Sequence, residues 1–181
     1  AKTIGLGIMY GMGKGKLADQ LGVDVEEASD ILVRFNTYAP FVRQMADTVM
    51  RSATTRGYIK TLLGRRCHFD MWEPRQYGTG RPMKYKEAMH EYNGDIKRAF
   101  VYKALNELIQ GSAADMTKKA LLDCYNASYK PLLQVHDELV FSVSSKKEVE
   151  EIVKIMENAV ELNVPNKVDA ELGKNWGDSM S

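Results

Sequence analysis

The feature that most constrains this chain is a change of hydrophobic period near its centre. From Ile96 to Tyr125 the segment IKRAFVYKALNELIQGSAADMTKKALLDCY repeats apolar residues three and four apart over about 30 residues, the spacing of one helix face. Beyond Pro131, LLQVHDELVFSV holds two apolar, β-rich runs separated by His136, Asp137 and Glu138. That pattern predicts a tight hairpin with the three polar side chains near its tip. One long, mostly buried helix followed by a hairpin makes the expected class α+β. With 181 residues and 44% hydrophobic content, the chain is large enough for one globular unit or two coupled subdomains.

The remaining segments are read from their punctuation. Five glycines between Gly5 and Gly15 interrupt an apolar pattern of helical spacing. Each glycine costs a helix about 1 kcal/mol relative to alanine, so this stretch is either a loop or a place where a ligand approaches the backbone closely. Asp24 with Glu27 has the spacing of a capping box and opens a long amphipathic helix, which Pro40 is expected to kink or split before Arg51. GYIKTLLGRRCHF predicts a short hairpin around Gly64. Residues 70–95 read as a loop-rich insertion with one short helix around Lys86 to Tyr92. A helix from about Ser145 to Leu162 and a last strand near Lys167 to Leu172 complete the expected order.

Net charge is +1, so there is no global argument for a polyanionic partner. The charge is unevenly distributed. From Lys2 to Arg66 basic residues such as Lys14, Lys16, Arg34, Arg43, Arg51, Arg56, Lys60 and Arg65 outnumber carboxylates, whereas Glu148 to Glu161 is mainly acidic. Cys67 and Cys124 stand far apart, which fits a reducing cytoplasm. Cys67 beside His68 lacks the further ligands that a structural zinc site requires. No apolar run reaches the roughly 20 residues of a membrane span, and the expectation is a soluble, intracellular protein with no membrane partner.

Three clusters carry candidate chemistry, and each admits a plainer reading. Lys2, Leu6 and Tyr10 are spaced i, i+4, i+8, so on a helix they form one stripe able to grip a nucleotide lengthwise. The plainer alternative is a solvated lysine and a half-buried tyrosine. Asn106 and Gln110 lie one helical turn apart, and such amides can meet the acceptors that all base pairs present in the minor groove. They could equally be satisfied core amides. Asp137 at the hairpin tip suits a magnesium ion, which binds through one or two carboxylates plus substrate phosphates; aspartate is also a common turn residue. Glu138 is a doubtful second ligand, because adjacent strand residues face opposite sides.

Together these segments are similar to a known family. AKTIGLGIMYG resembles the end of the fingers helix, motif B, of family A DNA polymerases, the bacterial DNA polymerase I family, and LLQVHDELVF resembles their palm motif C. GYIKTLLGRR and KALNELIQGSAAD also resemble that family, in the same order, so the likeness covers nearly the whole chain. The wording ALNELIQGSAAD and the tryptophan-containing insertion look closest to phage members. The resemblance implies a helical fingers segment over residues 1–94, followed by residues 95–181 as part of an antiparallel-sheet palm with long helices. It implies that Lys2 contacts the incoming dNTP triphosphate, that Tyr10 packs by the nascent base pair and that Gly11 leaves space for the template. His136 would lie near the primer terminus. Asp137 would be a catalytic metal ligand for one of two Mg2+ ions, with Glu138 in support, while Asn106 and Gln110 would read the minor groove of primer–template DNA.

Two positions depart from the family pattern. Leu6 stands where an aromatic ring usually helps position the nucleotide sugar, and Tyr102 stands where bacterial members usually carry arginine. The resemblance further implies a motif B arginine just upstream of Ala1, and a motif A with the other catalytic aspartate well before it. LGKNWGDSM resembles a natural family carboxy terminus, so truncation is expected on the amino side only. The isolated chain is then expected to be inactive until an amino-terminal polymerase portion completes it, in the cytoplasm of a bacterial cell or phage-infected host. Two other classes compete: a non-catalytic, polymerase-derived DNA-binding or assembly subunit, and a metal-dependent nuclease using Asp137 and Glu138.

Overall fold

A computed structural model describes residues 5, 7, 8, 11–76, 78 and 80–178. The described elements are α1 (Lys14–Leu21), α2 (Val25–Tyr38), α3 (Pro40–Arg56), β1 (Tyr58–Lys60), β2 (Arg66–His68), β3 (Met71–Pro74), β4 (Met83–Lys84), α4 (Tyr85–Glu91), β5 (Ile96–Arg98), α5 (Ala104–Asn126), β6 (Leu133–Val135), β7 (Glu138–Val140) and α6 (Lys146–Glu157). The fold is α+β, as expected. The chain divides into two compact units, Ala1–Ile109 and Gln110–Ser181, with the division falling inside α5.

In the first unit, Leu17 and Ala18 of α1 and Ala28 of α2 form a small core, with Ile8, Met12 and Ile31 packed around it. Asp24 caps α2 as its spacing predicts: its Oδ1 accepts from the Glu27 amide at 2.8 Å, an interaction whose loss costs about 1 kcal/mol. The expected split at Pro40 is also present. A residue before proline is driven out of the α region, and Ala39 sits at φ −128°, ψ 57° while Pro40 opens α3.

The larger core joins Val49 and Ala53 of α3, Ile59 of β1, Phe69 and Ala104. Burying a side chain the size of Ile59 or Phe69 contributes about 1.5–3 kcal/mol. β1 and β2 form the predicted hairpin, with Ile59 opposite Cys67. Gly57 ends α3 at φ +77°, and a Cβ built there would lie 2.8 Å from Arg98 Cζ. Arg98 is a clasp. Its Nε donates to Thr54 O at 3.1 Å, its Nη1 donates to Phe69 O at 2.9 Å, and its guanidinium lies 4.5 Å from the centre of the Trp72 ring.

Residues 70–95 keep the expected loops and short helix but add two short strands, β3 and β4. β3 is the central strand of a three-stranded antiparallel sheet ordered β4-β3-β5, with Trp72 opposite both Met83 and Arg98. Local glycines and prolines signal the turns, but strands this short take their stability from ladders that only the folded chain assembles. The short helix is present as α4. The loop before it is held by Tyr92, whose hydroxyl accepts from Arg81 N and donates to Arg81 O.

The long helix is also corrected. It begins at Ala104 rather than near Ile96, because Ile96–Arg98 pairs as a strand and Phe100 adopts φ +61°. It is not mostly buried: Leu105, Ala120 and Cys124 are, while Glu107, Lys118, Leu122 and Tyr125 are exposed.

In the second unit, β6 and β7 pair as predicted, with Leu133 opposite Val140. Ser145 caps α6 by accepting from Glu148 N, and Tyr129 donates its hydroxyl hydrogen to Glu151 of that helix. Here too the structure differs from expectation. α6 ends at Glu157, and residues 167–172 form no strand, since no second strand among the described residues completes their ladder. The Val168 amide instead donates to Glu157 Oε1. Cys124 is fully buried, and its thiol is pushed above the usual range by burial and then by the Asp123 charge, whereas Cys67 is half-buried. Thiolate, not thiol, is the nucleophile. Cys67 is therefore expected to be alkylated at least about tenfold faster than Cys124 at mildly basic pH, a ratio that mass spectrometry of iodoacetamide-treated chain reads directly.

Among the described residues no helix is long and apolar enough to cross a membrane.

Candidate functional site

The β6–β7 hairpin turns on two residues, His136 and Asp137. His136 has φ +53° and Asp137 is not in the positive region, the sign pattern of a type II′ turn, whose twist suits the flanking strands. A histidine held at positive φ without a glycine's freedom is an uncommon conformation. The Gln134 side chain reinforces the tip by donating from Nε2 to His136 O at 3.1 Å. Val135, Leu139, Val140 and Phe141 are half-buried, while His136, Asp137 and Glu138 are exposed. The paired strands, half-buried in β7 at Leu139 and Val140 but largely exposed in β6 at Leu133 and Gln134, thus project a carboxylate into solvent at a defined point. The Asp137 side chain makes no hydrogen bond or ion pair among the described residues.

This donor set fits magnesium in part. Carboxylate oxygens are the ligands that ion takes, and it completes its shell with water and substrate phosphates. Asp137 and Glu138 supply two carboxylates. No group of three or more His, Cys, Asp and Glu gathers among the described residues, so these two carboxylates do not by themselves make a complete metal site.

Asn106 and Gln110 lie on the one continuous helix α5 at its predicted one-turn spacing. Asn106 is half-buried, with its Oδ1 buried and lacking a hydrogen-bond partner among the described residues, and Gln110 is exposed. A pair of satisfied core amides would show neither feature. Lys2, Leu6 and Tyr10 lie outside the described residues. Gly11, next to them, is exposed at φ +85°. Tyr102, the position of the second departure, is 70% exposed.

The structure therefore forms two sets, each local in the chain: the hairpin tip and the one-turn amide pair on α5. The first unit also carries an open surface groove of about 650 Å³ that the sequence reading did not point to, lined in part by Asp70, Trp72, Lys84, Tyr85, Glu87 and Arg98. The one signal in the sequence was the run Lys84-Tyr85-Lys86, an aromatic residue between two cations.

An α+β chain with an exposed carboxylate on a type II′-like hairpin and an amide pair on a long helix can be compared with known proteins on these features. The sequence model of DNA polymerase family A matches residues 1–178. The chain belongs to DNA polymerase family A. It is 34% identical over 214 residues to a DNA-directed DNA polymerase of Pseudomonas phage M6, covering 99% of this chain and 29% of the phage protein. It is 34% identical over 184 residues to the thermostable DNA polymerase I of Thermus filiformis, covering 97% of this chain and 20% of that enzyme. Among solved structures, the POL domain of Pol1 from M. smegmatis, in complex with DNA primer-template and dNTP, superposes with a TM-score of 0.76 at 31% identity, over 99% of this chain and 30% of that one. The chain thus spans less than a third of the length of these relatives.

Proposed function

We propose that this chain is the carboxy-terminal part of a DNA-directed DNA polymerase that adds deoxynucleotides to a primer 3′ end under the direction of a template. The observation that carries the reading is Asp137, exposed and unpartnered among the described residues, on a structured hairpin of a family A chain. In this reading residues 1–94 belong to the fingers and residues 95–181 to the palm.

The roles are those that membership of the family implies for the matching residues. Lys2 pairs with the triphosphate of the incoming dNTP, Leu6 lies against its sugar, Tyr10 packs by the nascent base pair, and Gly11 leaves room for the template. Asn106 and Gln110 offer amide donors to the minor-groove acceptors common to all base pairs, which checks geometry without preferring a sequence. His136 sits by the primer terminus. Asp137 would hold magnesium, with Glu138 in support, and two such ions would supply charge stabilisation for phosphoryl transfer. The primer 3′ hydroxyl attacks the α-phosphate, the bond to the pyrophosphate breaks, and Lys2 offsets charge on the departing group. An amino-terminal portion with motif A supplies the second aspartate, and the three- to fivefold greater length of the relatives is consistent with such a portion. The work takes place where the DNA is, in the cytoplasm of a bacterial or phage-infected cell.

The test is complementation. The purified chain alone is expected to show no magnesium-dependent primer extension, and a separately produced amino-terminal polymerase portion is expected to restore it. Extension by the chain alone would overturn the requirement for a partner. A complemented assembly that binds primer–template but never extends it would favour the non-catalytic DNA-binding subunit.

A further inference from the structure

Phe100 is the bulky apolar residue among the described non-glycine residues of positive φ. It sits at φ +61°, ψ +10°, between β5 and the short helical turn Val101–Lys103 that leads into α5. That region disfavours a residue with a Cβ by roughly five- to thirtyfold. Such a conformation persists only where the surroundings over-determine it, and it points to a role.

Both sides of Phe100 are fixed. On one side Ala99 is fully buried and its amide donates to Met71 O at 2.8 Å, while Arg98 is held by the Thr54 and Phe69 carbonyls. On the other, the Lys103 amide donates to Phe100 O at 2.9 Å, and Ala104 is fully buried in the core of Val49, Ala53, Ile59 and Phe69. The chain thus buries an alanine before and after one reversal, and Phe100 makes that reversal. Its side chain offsets the strain. The ring is 38% exposed, yet Lys103 Nζ lies 4.8 Å from its centre and 5.8 Å from that of Tyr102. The ammonium bridges two rings across the turn, an attraction that neither glycine nor alanine at position 100 could offer.

Asn106 stands in the first turn of the helix that this joint sets. Its Oδ1 is buried, and its Nδ2 is neither buried nor hydrogen-bonded among the described residues, so what it offers outward is a pair of donors. Donors are what the N3 and O2 acceptors of the minor groove require. We propose that Phe100 and Lys103 are positioning residues: the left-handed backbone at Phe100 sets the first turn of α5, the ring–ammonium contact holds it there, and Asn106 is fixed with its donors outward. The inference rests on the minor-groove reading of Asn106 and adds the residues that enforce its geometry. Donors held in place reject the displaced acceptors of a mispaired primer end, whereas donors on a loose turn follow them.

The full chain tests the joint without catalysis. Phe100→Ala keeps the strain and removes the ring, so amide hydrogen exchange over residues 104–108 is expected to quicken by about fivefold or more, with exchange in α3 unchanged. Phe100→Gly also loses the ring but adopts positive φ freely, and is expected to bring exchange back near that of the wild type. Lys103→Gln, at an exposed position, is expected to act in the same direction as Phe100→Ala by a smaller factor. In the complemented assembly, Phe100→Ala is expected to lower the preference for a paired over a mispaired primer end by about fivefold, the effect of one hydrogen bond. Its kcat on the paired end should hold, and Phe100→Gly should recover the preference.

Asn106→Ala is the reference. If it leaves the preference unchanged, the minor-groove reading falls and the positioning role with it; if it lowers the preference and Phe100→Ala does not, the positioning role alone is overturned. Exchange over residues 104–108 that is unmoved by Phe100→Ala, or not restored by Phe100→Gly, overturns the joint itself. Should Phe100→Ala unfold the chain, unchanged exchange and unchanged preference in Lys103→Gln overturn the proposal. The exchange readout needs no primer extension, so a failed complementation and a failed joint are told apart.

Discussion

Asp137→Ala, introduced into the complemented assembly, is expected to lower kcat for primer extension by at least about a thousandfold while leaving primer–template affinity within roughly threefold. Removing a metal ligand forfeits several kcal/mol of transition-state charge stabilisation, and each 1.36 kcal/mol is a factor of ten in rate. The side chain is exposed and makes no hydrogen bond or ion pair among the described residues, so the substitution removes a ligand without leaving a buried cavity. Its unfolding midpoint should accordingly move by no more than about a degree. Unchanged extension by this variant would exclude Asp137 from the chemistry and leave a DNA-binding subunit as the better account. Glu138→Ala, at the first residue of β7, is expected to have a smaller effect on rate, because its partner across the ladder is Val135 and the turn itself presents Asp137.

The second large effect is on stability. Arg98→Ala is expected to cost about 3 kcal/mol, since it removes two charge-assisted hydrogen bonds and a cation–π contact. For a chain of this length that corresponds to a fall in the unfolding midpoint of roughly 6–12 °C. Part of the loss comes from Phe69 O, which gives up a charged donor in a half-buried setting, while the bond to Thr54 O is exposed and contributes less. Gly57→Ala is expected to cost about 1–2 kcal/mol for the left-handed backbone alone, and more in the wild-type background, because the new methyl meets the Arg98 guanidinium at 2.8 Å. Combined with Arg98→Ala, that steric part disappears. The double variant should therefore be more stable than the sum of the two single losses predicts, by about 1 kcal/mol. Strict additivity would refute the clasp. Because Arg98 also braces Trp72, the single Arg98→Ala variant should carry an altered Trp72 emission.

These two sites differ in how legible they were. The hairpin could be read from its residues: apolar, β-rich runs on both sides of a polar triplet leave one place for a turn, and the side-chain period then fixes which residues reach the tip. The cap at Asp24 and the split at Pro40 were equally local, because each depends on atoms within four residues along the chain. The Arg98 clasp was not legible. Arg98 lies 44 residues from Thr54 and 29 from Phe69, and its own neighbours read as the start of a helix. The apolar spacing from Ile96 onward fits a helix face, yet Ile96–Arg98 joins β3 because a ladder with Glu73 and Pro74 was available in the fold. The expected last strand failed for the converse reason: residues 167–172 have strand-like composition but no partner edge among the described residues.

By itself the sequence determined the local elements, the hairpin tip with Asp137, the one-turn spacing of Asn106 and Gln110, and the likeness to family A polymerases, since each is carried by the order and spacing of nearby residues. Only the tertiary structure decided that strands between Met71 and Arg98 form a sheet, that Arg98 ties that sheet to α3, and that Trp72, Tyr85 and two lysines line an open groove. Strand pairing and cation–aromatic packing join residues that are distant in the chain, and their free energy appears only when folding brings those residues into contact.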